Sequence, residues 1–187
     1  MSQTADEHLH ALLSATQIQQ RVAALGAQLT RDYADVPELR LIGVLKGAWI
    51  FLADLVRCID LPVTCDFLGV SSYGTQTTSS GVVRLTSDLS EPIVGLDVVL
   101  VEDIVDTGLT MRFLLDTLAL REPRAIRTCT FLDKPSRRVV PFTPDYVGFT
   151  IADHFVVGYG LDWAGAYRHL PYIAICSPDP GATREAL

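Results

Sequence analysis

Apolar residues follow a strand-then-helix rhythm through the first two-thirds of the chain. Ile18, Val22, Leu25 and Leu29 fall at helical spacing and predict an amphipathic helix over residues 16–33, with Ser14 and Gln17 placed to form its capping box. "LRLIGVL", residues 39–45, is an apolar run of strand length that stops at Lys46-Gly47, and "AWIFLADLVRCI" behind it reads as helix. "VTCDFLGV" at 63–70 and "VVLV" at 98–101 predict two more strands, residues 110–120 a further helix, and "AIRTCTFL" at 125–132 a fourth strand followed by a "DKPSRR" turn. Later apolar runs at 146–150, 155–159 and 172–176 are short and broken by Pro, Gly and Asp, which predicts a small β-rich cap and a closing strand. Alternation of this kind implies an α/β domain with a parallel sheet covered on both faces. The expectation is one domain over residues 1–187, with a core at about 16–132 and a hood with closing strand at about 133–177.

Two segments lack any period. Residues 71–81, "SSYGTQTTSSG", are rich in Ser, Thr and Gly with almost no charge, and read as a mobile loop, either a linker or a lid over a site. The polar N-terminus holds His8 and His10, which read as part of a flexible tail and not as metal ligands; His154 and His169 read as surface or packing residues. Neither a signal peptide nor a membrane span is apparent, so a cytoplasmic protein without membrane contact is expected. Cys58, Cys65, Cys129 and Cys176 are too widely spaced for a zinc or redox motif and read as reduced core residues. A formal charge of -7 opposes nucleic-acid binding, which depends on Lys and Arg neutralising phosphates. It leaves a phosphorylated metabolite open as a ligand, provided the site supplies backbone amides and a cation.

The stretch "VVLVEDIVDTGLTM", residues 98–111, offers such a site. In parallel sheets ligands bind beyond the carboxyl ends of the strands. Here a strand end meets Glu102 and Asp103, then Asp106, and then a Thr-Gly-Leu-Thr turn opening a helix. Asp106, Thr107, Gly108, Leu109 and Thr110 present successive amides and two hydroxyls at a helix N-terminus, which suits a phosphate monoester without any lysine. The adjacent carboxylates suit vicinal hydroxyls and magnesium. The stretch matches neither an ATPase loop nor a dinucleotide-binding fingerprint. Taken without context, the same trio reads as two solvated charges and a helix cap.

This stretch closely resembles the phosphoribosyl-pyrophosphate (PRPP) motif of the type I phosphoribosyltransferases. "LKGA" at 45–48 is similar to the family's pyrophosphate loop, "SSYG" at 71–74 to its flexible catalytic loop with Ser72 and Tyr73, and "LDKPSRR" and "DHFVVGYGLDW" to the purine-binding hood of its bacterial hypoxanthine-guanine branch. The resemblance runs from about Ile18 to Ser177. It implies the type I phosphoribosyltransferase fold and transfer of 5-phosphoribosyl from PRPP to N9 of a 6-oxopurine, with Mg2+ as cofactor and a homodimer or homotetramer as the usual assembly.

Residue by residue, the resemblance makes Glu102 and Asp103 the ribose-hydroxyl and magnesium carboxylates and Asp106 the general base. Residues 106–110 become the 5'-phosphate loop, and Lys46 and Gly47 the pyrophosphate loop, with a cis peptide between Leu45 and Lys46. Lys134 becomes the donor to the purine 6-oxo group, Phe155 the stacking ring and Val156 a backbone contact to the base. Asp162 becomes a magnesium-pyrophosphate ligand and Arg168 a pyrophosphate contact. Taken singly, Lys134 reads as a surface lysine, Phe155 as a core aromatic and Arg168 as an ion-pair partner. Leu109 departs from the polar or basic residue of many relatives, and "WAGAYR" at 163–168 carries small residues where bulkier or charged ones are common. Two alternatives are a phosphoribosyltransferase for xanthine, uracil or adenine, and a regulator that binds PRPP or RNA without catalysis; intact Asp106, Lys134 and Asp162 disfavour the second.

Overall fold

A computed structural model describes residues 8–73 and 82–177, apart from the side chains of Ser72, Tyr73 and Val82. Two sheets organise it. The larger has the order β4-β3-β2-β5-β6-β7, formed by Val82–Ser87, Val63–Tyr73, Leu39–Leu45, Asp97–Val105, Ala125–Asp133 and Tyr146–Thr150. All its pairings are parallel except β3 with β4, an antiparallel ribbon in which Gly69 to Tyr73 face Ser87 to Val82. The smaller sheet has the order β1-β9-β8 and is antiparallel throughout, formed by Leu9–Leu13, Ile173–Cys176 and Val156–Val157.

Strand side chains alternate between two apolar layers, as a period of two requires. Leu39, Leu41, Val99, Val101, Cys129 and Phe131 face α1 (Ala15–Asp32) and α2 (Trp49–Val56), whose Ile18, Val22, Leu25, Leu29, Phe51 and Leu55 close that layer. Ile42, Val44, Val98 and Leu100 face α3 (Leu109–Ala119) through Met111, Leu114 and Leu118. The capping box starts α1 as its sequence implies: Ser14 Oγ accepts from Gln17 N at 3.3 Å, and Gln17 Oε1 accepts from Ser14 N at 2.9 Å.

Several expectations need correction. The polar lead-in is no flexible tail from residue 8 on: β1 pairs with β9, and His10 sits opposite Ile175. The run at 146–150 belongs to the main sheet beside β6, not to the hood. The run at 172–176 gives the middle strand of the small sheet, which therefore draws on both ends of the described chain. The expected loop at 71–81 begins as strand, since β3 continues to Tyr73; the rest of that segment lies outside the described residues, as do the side chains proposed for it, Ser72 and Tyr73. Of the four cysteines only Cys129 and Cys176 are core residues. Cys58 follows the end of α2, and Cys65 lies on the part of β3 that β4 does not reach, so both are exposed. No described helix is long and apolar enough to cross a membrane.

Candidate active site

The connections from β2 and from β5 leave the sheet in opposite directions. After β2 the chain passes through α2 on one face to β3; after β5 it passes through α3 on the other face to β6. A crevice opens where neighbouring strands diverge in this way. The loops at its mouth are Lys46-Gly47 and residues 106–108, with a cavity of about 320 Å3 between them.

Lys46 follows a cis peptide bond, Leu45-Lys46, as the resemblance implies. A side chain on Gly47 would run into the carboxylate of Asp103, so glycine is needed there for close approach of β2's loop to β5. Glu102 and Asp103 lie within β5, which continues to Val105; they are strand residues, not the loop residues the sequence suggests. Glu102 is buried, and its burial, reinforced by the charge of Asp103, pushes its carboxyl well above the usual carboxylate range. Burial also raises Asp103, partly offset by the Ile104 amide, which donates to its Oδ1 at 2.8 Å, and by the charge of Arg168.

Gly108 precedes α3 in the left-handed region, φ 85°, and a Cβ there would meet Val140 Cγ2 at 3.1 Å. Gly108 offers α3 no side-chain cap, and Thr107, Gly108 and Thr110 place the N-terminus of the helix, which favours anions, at the cavity. Lys46, Gly47, Glu102, Asp103, Asp106, Thr107, Gly108, Thr110, Asp162 and Arg168 all line this cavity. Leu109 does not; it is the first residue of α3, and its amide lies 3.4 Å from Thr107 Oγ1.

A second cavity, about 280 Å3, adjoins the first and is lined by Lys134, Phe155, Val156 and Leu161. Asp103, Ile104, Asp106 and Asp162 border both, so the two are compartments of one cleft. Lys134 follows β6 directly; it is only 7% exposed, and its Nζ donates to His154 O at 2.5 Å and stands 3.8 Å from Asp153 Oδ1. Phe155 is 48% exposed and lines this cavity, where an aromatic ring suits stacking on a planar ligand. Asp162 is held from both sides: Oδ1 pairs with Arg168 Nη2 at 2.5 Å and Oδ2 accepts from Gly165 N at 2.7 Å.

Sequence reasoning passed over the residues that brace this cleft. Arg138 donates through Nη1 to the carbonyl oxygens of Val105, at 2.9 Å, and Asp106, through Nε to Phe142 O at 3.2 Å, and pairs with Asp133. Val139 N adds a bond to Thr107 O at 2.9 Å. The segment after Lys134 thus clasps the outside of the loop at residues 105–107. Arg137 reaches the Asp106 carboxylate itself, its Nε donating to Oδ1 at 3.1 Å. The adjacent arginines of "DKPSRR", three and four residues after Lys134, were the available signal.

Comparison with known proteins agrees with this geometry. The phosphoribosyl transferase domain family matches residues 8–163. A hypoxanthine-guanine phosphoribosyltransferase from Bacillus subtilis is 48% identical over 167 residues, covering 89% of this chain and 92% of that protein. The structure of a hypoxanthine phosphoribosyltransferase from Staphylococcus aureus superimposes with a TM-score of 0.91 at 40% identity, covering 98% of this chain and 100% of that one. The Trypanosoma cruzi hypoxanthine phosphoribosyltransferase in complex with the product IMP gives a TM-score of 0.86 at 40% identity, over 92% of this chain and 96% of that one. With its cleft at the strand divergence and matches of this extent, the chain belongs to the phosphoribosyl transferase family.

Proposed function

We propose that this chain is a purine-salvage enzyme that transfers 5-phosphoribosyl from PRPP to N9 of hypoxanthine or guanine, giving IMP or GMP and pyrophosphate. One observation carries this: Asp106 borders both compartments of the cleft, at the seam where a sugar in one would meet a base in the other. The amides and hydroxyls of residues 106–110 hold the 5'-phosphate, and Lys46, Gly47 and Arg168 hold the pyrophosphate. Glu102 and Asp103 engage the ribose hydroxyls. In the other compartment Phe155 stacks on the base, Val156 contacts it through its backbone and Lys134 donates to its 6-oxo oxygen.

In the reaction the bond from the anomeric carbon to pyrophosphate breaks and a bond to N9 forms, while the purine proton passes to Asp106. Positive charge builds on the sugar as the leaving group departs, as in glycoside cleavage. The carboxylates beneath the ribose offset it.

The donor set fits magnesium, which prefers one or two protein carboxylates and takes its remaining oxygens from water and substrate phosphates. Among the described residues no three His, Cys, Asp or Glu side chains converge to cage a metal, so the protein's own ligands suit a cation that arrives with PRPP. Glu102 and Asp103 would hold it on one side of the cavity, with Asp162 as a second position. When bound, magnesium neutralises charge on the departing pyrophosphate.

The test is a substrate panel with pyrophosphate detection. Hypoxanthine or guanine with PRPP and magnesium should give pyrophosphate and the matching nucleotide, and adenine should give little. Faster turnover of adenine would overturn the 6-oxopurine assignment.

A further inference from the structure

Arg137 stands between two carboxylates. Its Nε donates to Asp106 Oδ1 at 3.1 Å and its Nη1 to Asp153 Oδ2 at 3.3 Å, so one guanidinium spans both. Each support of this bridge is fixed. Pro135 opens a single 3-10 turn that ends at Arg137, and the neighbouring Arg138 ties that turn to the main chain of Val105 and Asp106. Asp153 follows β7, where Ile151 N donates to Asp133 O at 2.9 Å, and this brings Asp153 alongside Lys134 as well. Among the described residues, Arg137 is the side chain bonded to the Asp106 carboxylate.

The side chains of the bridge are between 40% and 49% exposed, and ion pairs in that setting add little to folding stability. Their place suggests another use. An aspartate carboxylate turns readily about its last torsion. A guanidinium that engages one oxygen, and is itself held by a second carboxylate, stops that rotation and leaves the other oxygen for a proton. A planar fork does this where a single ammonium point charge does not.

We propose that Arg137, anchored by Asp153, is a positioning residue that fixes the orientation of the Asp106 carboxylate at the seam between the two compartments. This role rests on the phosphoribosyl transfer proposed above. Arg137 itself lines neither cavity; it acts through Asp106, and Asp153 acts through Arg137.

Steady-state kinetics with hypoxanthine, calorimetry with magnesium and PRPP, and thermal melts form the test. Arg137→Gln is expected to lower kcat about 10- to 100-fold, the upper end being the loss that a misplacement of about 1 Å brings. Its Kd for PRPP and its Tm should match those of the unmodified protein. Arg137→Lys, with charge but no fork, should recover only part of the rate. Asp153→Asn should lower kcat by less, and the double variant should be no slower than Arg137→Gln alone, because the two residues act in series. An unchanged kcat in Arg137→Gln overturns the proposal, as does a loss matched by weaker PRPP binding or a lower Tm, or losses that multiply in the double variant. Should the unmodified protein make no nucleotide in the same assay, the proposed function and this role fall together. If it does turn over and Arg137→Gln keeps pace, only the positioning role falls.

Discussion

Gly47 and Lys134 show how single residues set the cleft. The Asp103 carboxylate occupies the space that any side chain at position 47 would need, so backbone and carboxylate share one wall of the phosphate compartment. Gly47→Ala must push one of them aside, and overpacking of that sort costs about 1–3 kcal/mol. PRPP affinity should accordingly fall about tenfold or more in calorimetry, at 1.4 kcal/mol per factor of ten. Native affinity in that variant would mean that the loop does not hold pyrophosphate. Lys134 is buried with its ammonium on the His154 carbonyl, an arrangement that keeps a charged donor at the base compartment. Lys134→Ala should raise KM for hypoxanthine about 10- to 100-fold, the worth of a hydrogen bond from a charged group, and leave PRPP binding nearly intact. The three carboxylates of β5 and its loop stood out in the sequence because they sit together in one short motif, whereas Gly47 and Lys134 were reached only through the resemblance, and Lys134, which reads singly as a surface lysine, is buried. Arg137 and Asp153 were not legible there, since their use depends on a bridge between segments that meet only when β7 pairs with β6.

At the scale of elements, Asp66 on β3 anchors the segment that leads into β5. Its carboxylate accepts from Phe67 N at 2.7 Å, Ser90 N at 2.8 Å, Ser90 Oγ at 3.0 Å and Glu91 N at 3.3 Å. Burial favours the neutral acid, but these donations outweigh it and hold the carboxyl below the usual aspartate range. A depressed folded value gives stability that is present above the unfolded value, about 3.9, and is lost as pH falls through the folded one. Asp66→Asn turns an NH2 group toward donors and should cost about 2 kcal/mol at neutral pH. The gap between the urea midpoints of the two proteins should narrow as pH falls below about 4 and the native carboxyl begins to protonate; a gap that does not change with pH down to acid unfolding would contradict this. Elements with an apolar face read clearly from the sequence: α1 with its capping box, β2, α3 and β6 all lie within a few residues of their expected bounds. β1, β4 and the placement of β7 did not. Each is a short strand whose partner is fixed by pairing with another strand, and β1 finds that partner, β9, at the far end of the described chain.

For the whole molecule, topology places the chemistry. α2 and α3 lie on opposite faces, so the ends of β2 and β5 part and leave a cleft, and the turn after β6 together with β8 supplies a wall of its second compartment. The two compartments share Asp103, Ile104, Asp106 and Asp162, so that, in the proposed function, a sugar phosphate and a base would lie in contact while different segments hold each. Apolar patterning foretold the parallel sheet, and the resemblance foretold the hood, but the hood's use of both ends of the described chain belongs to tertiary pairing alone. The most direct measurement compares the unmodified protein with Asp106→Asn, using calorimetry for PRPP with magnesium and single-turnover kinetics for hypoxanthine. Loss of a general base should slow the reaction about 100-fold or more. PRPP should bind the variant about as well as before, because the phosphate cradle is mainly main chain. Failure of the unmodified protein to bind PRPP, or equal losses of binding and rate in the variant, would contradict the assignment of Asp106 as the base at the meeting point of sugar and purine.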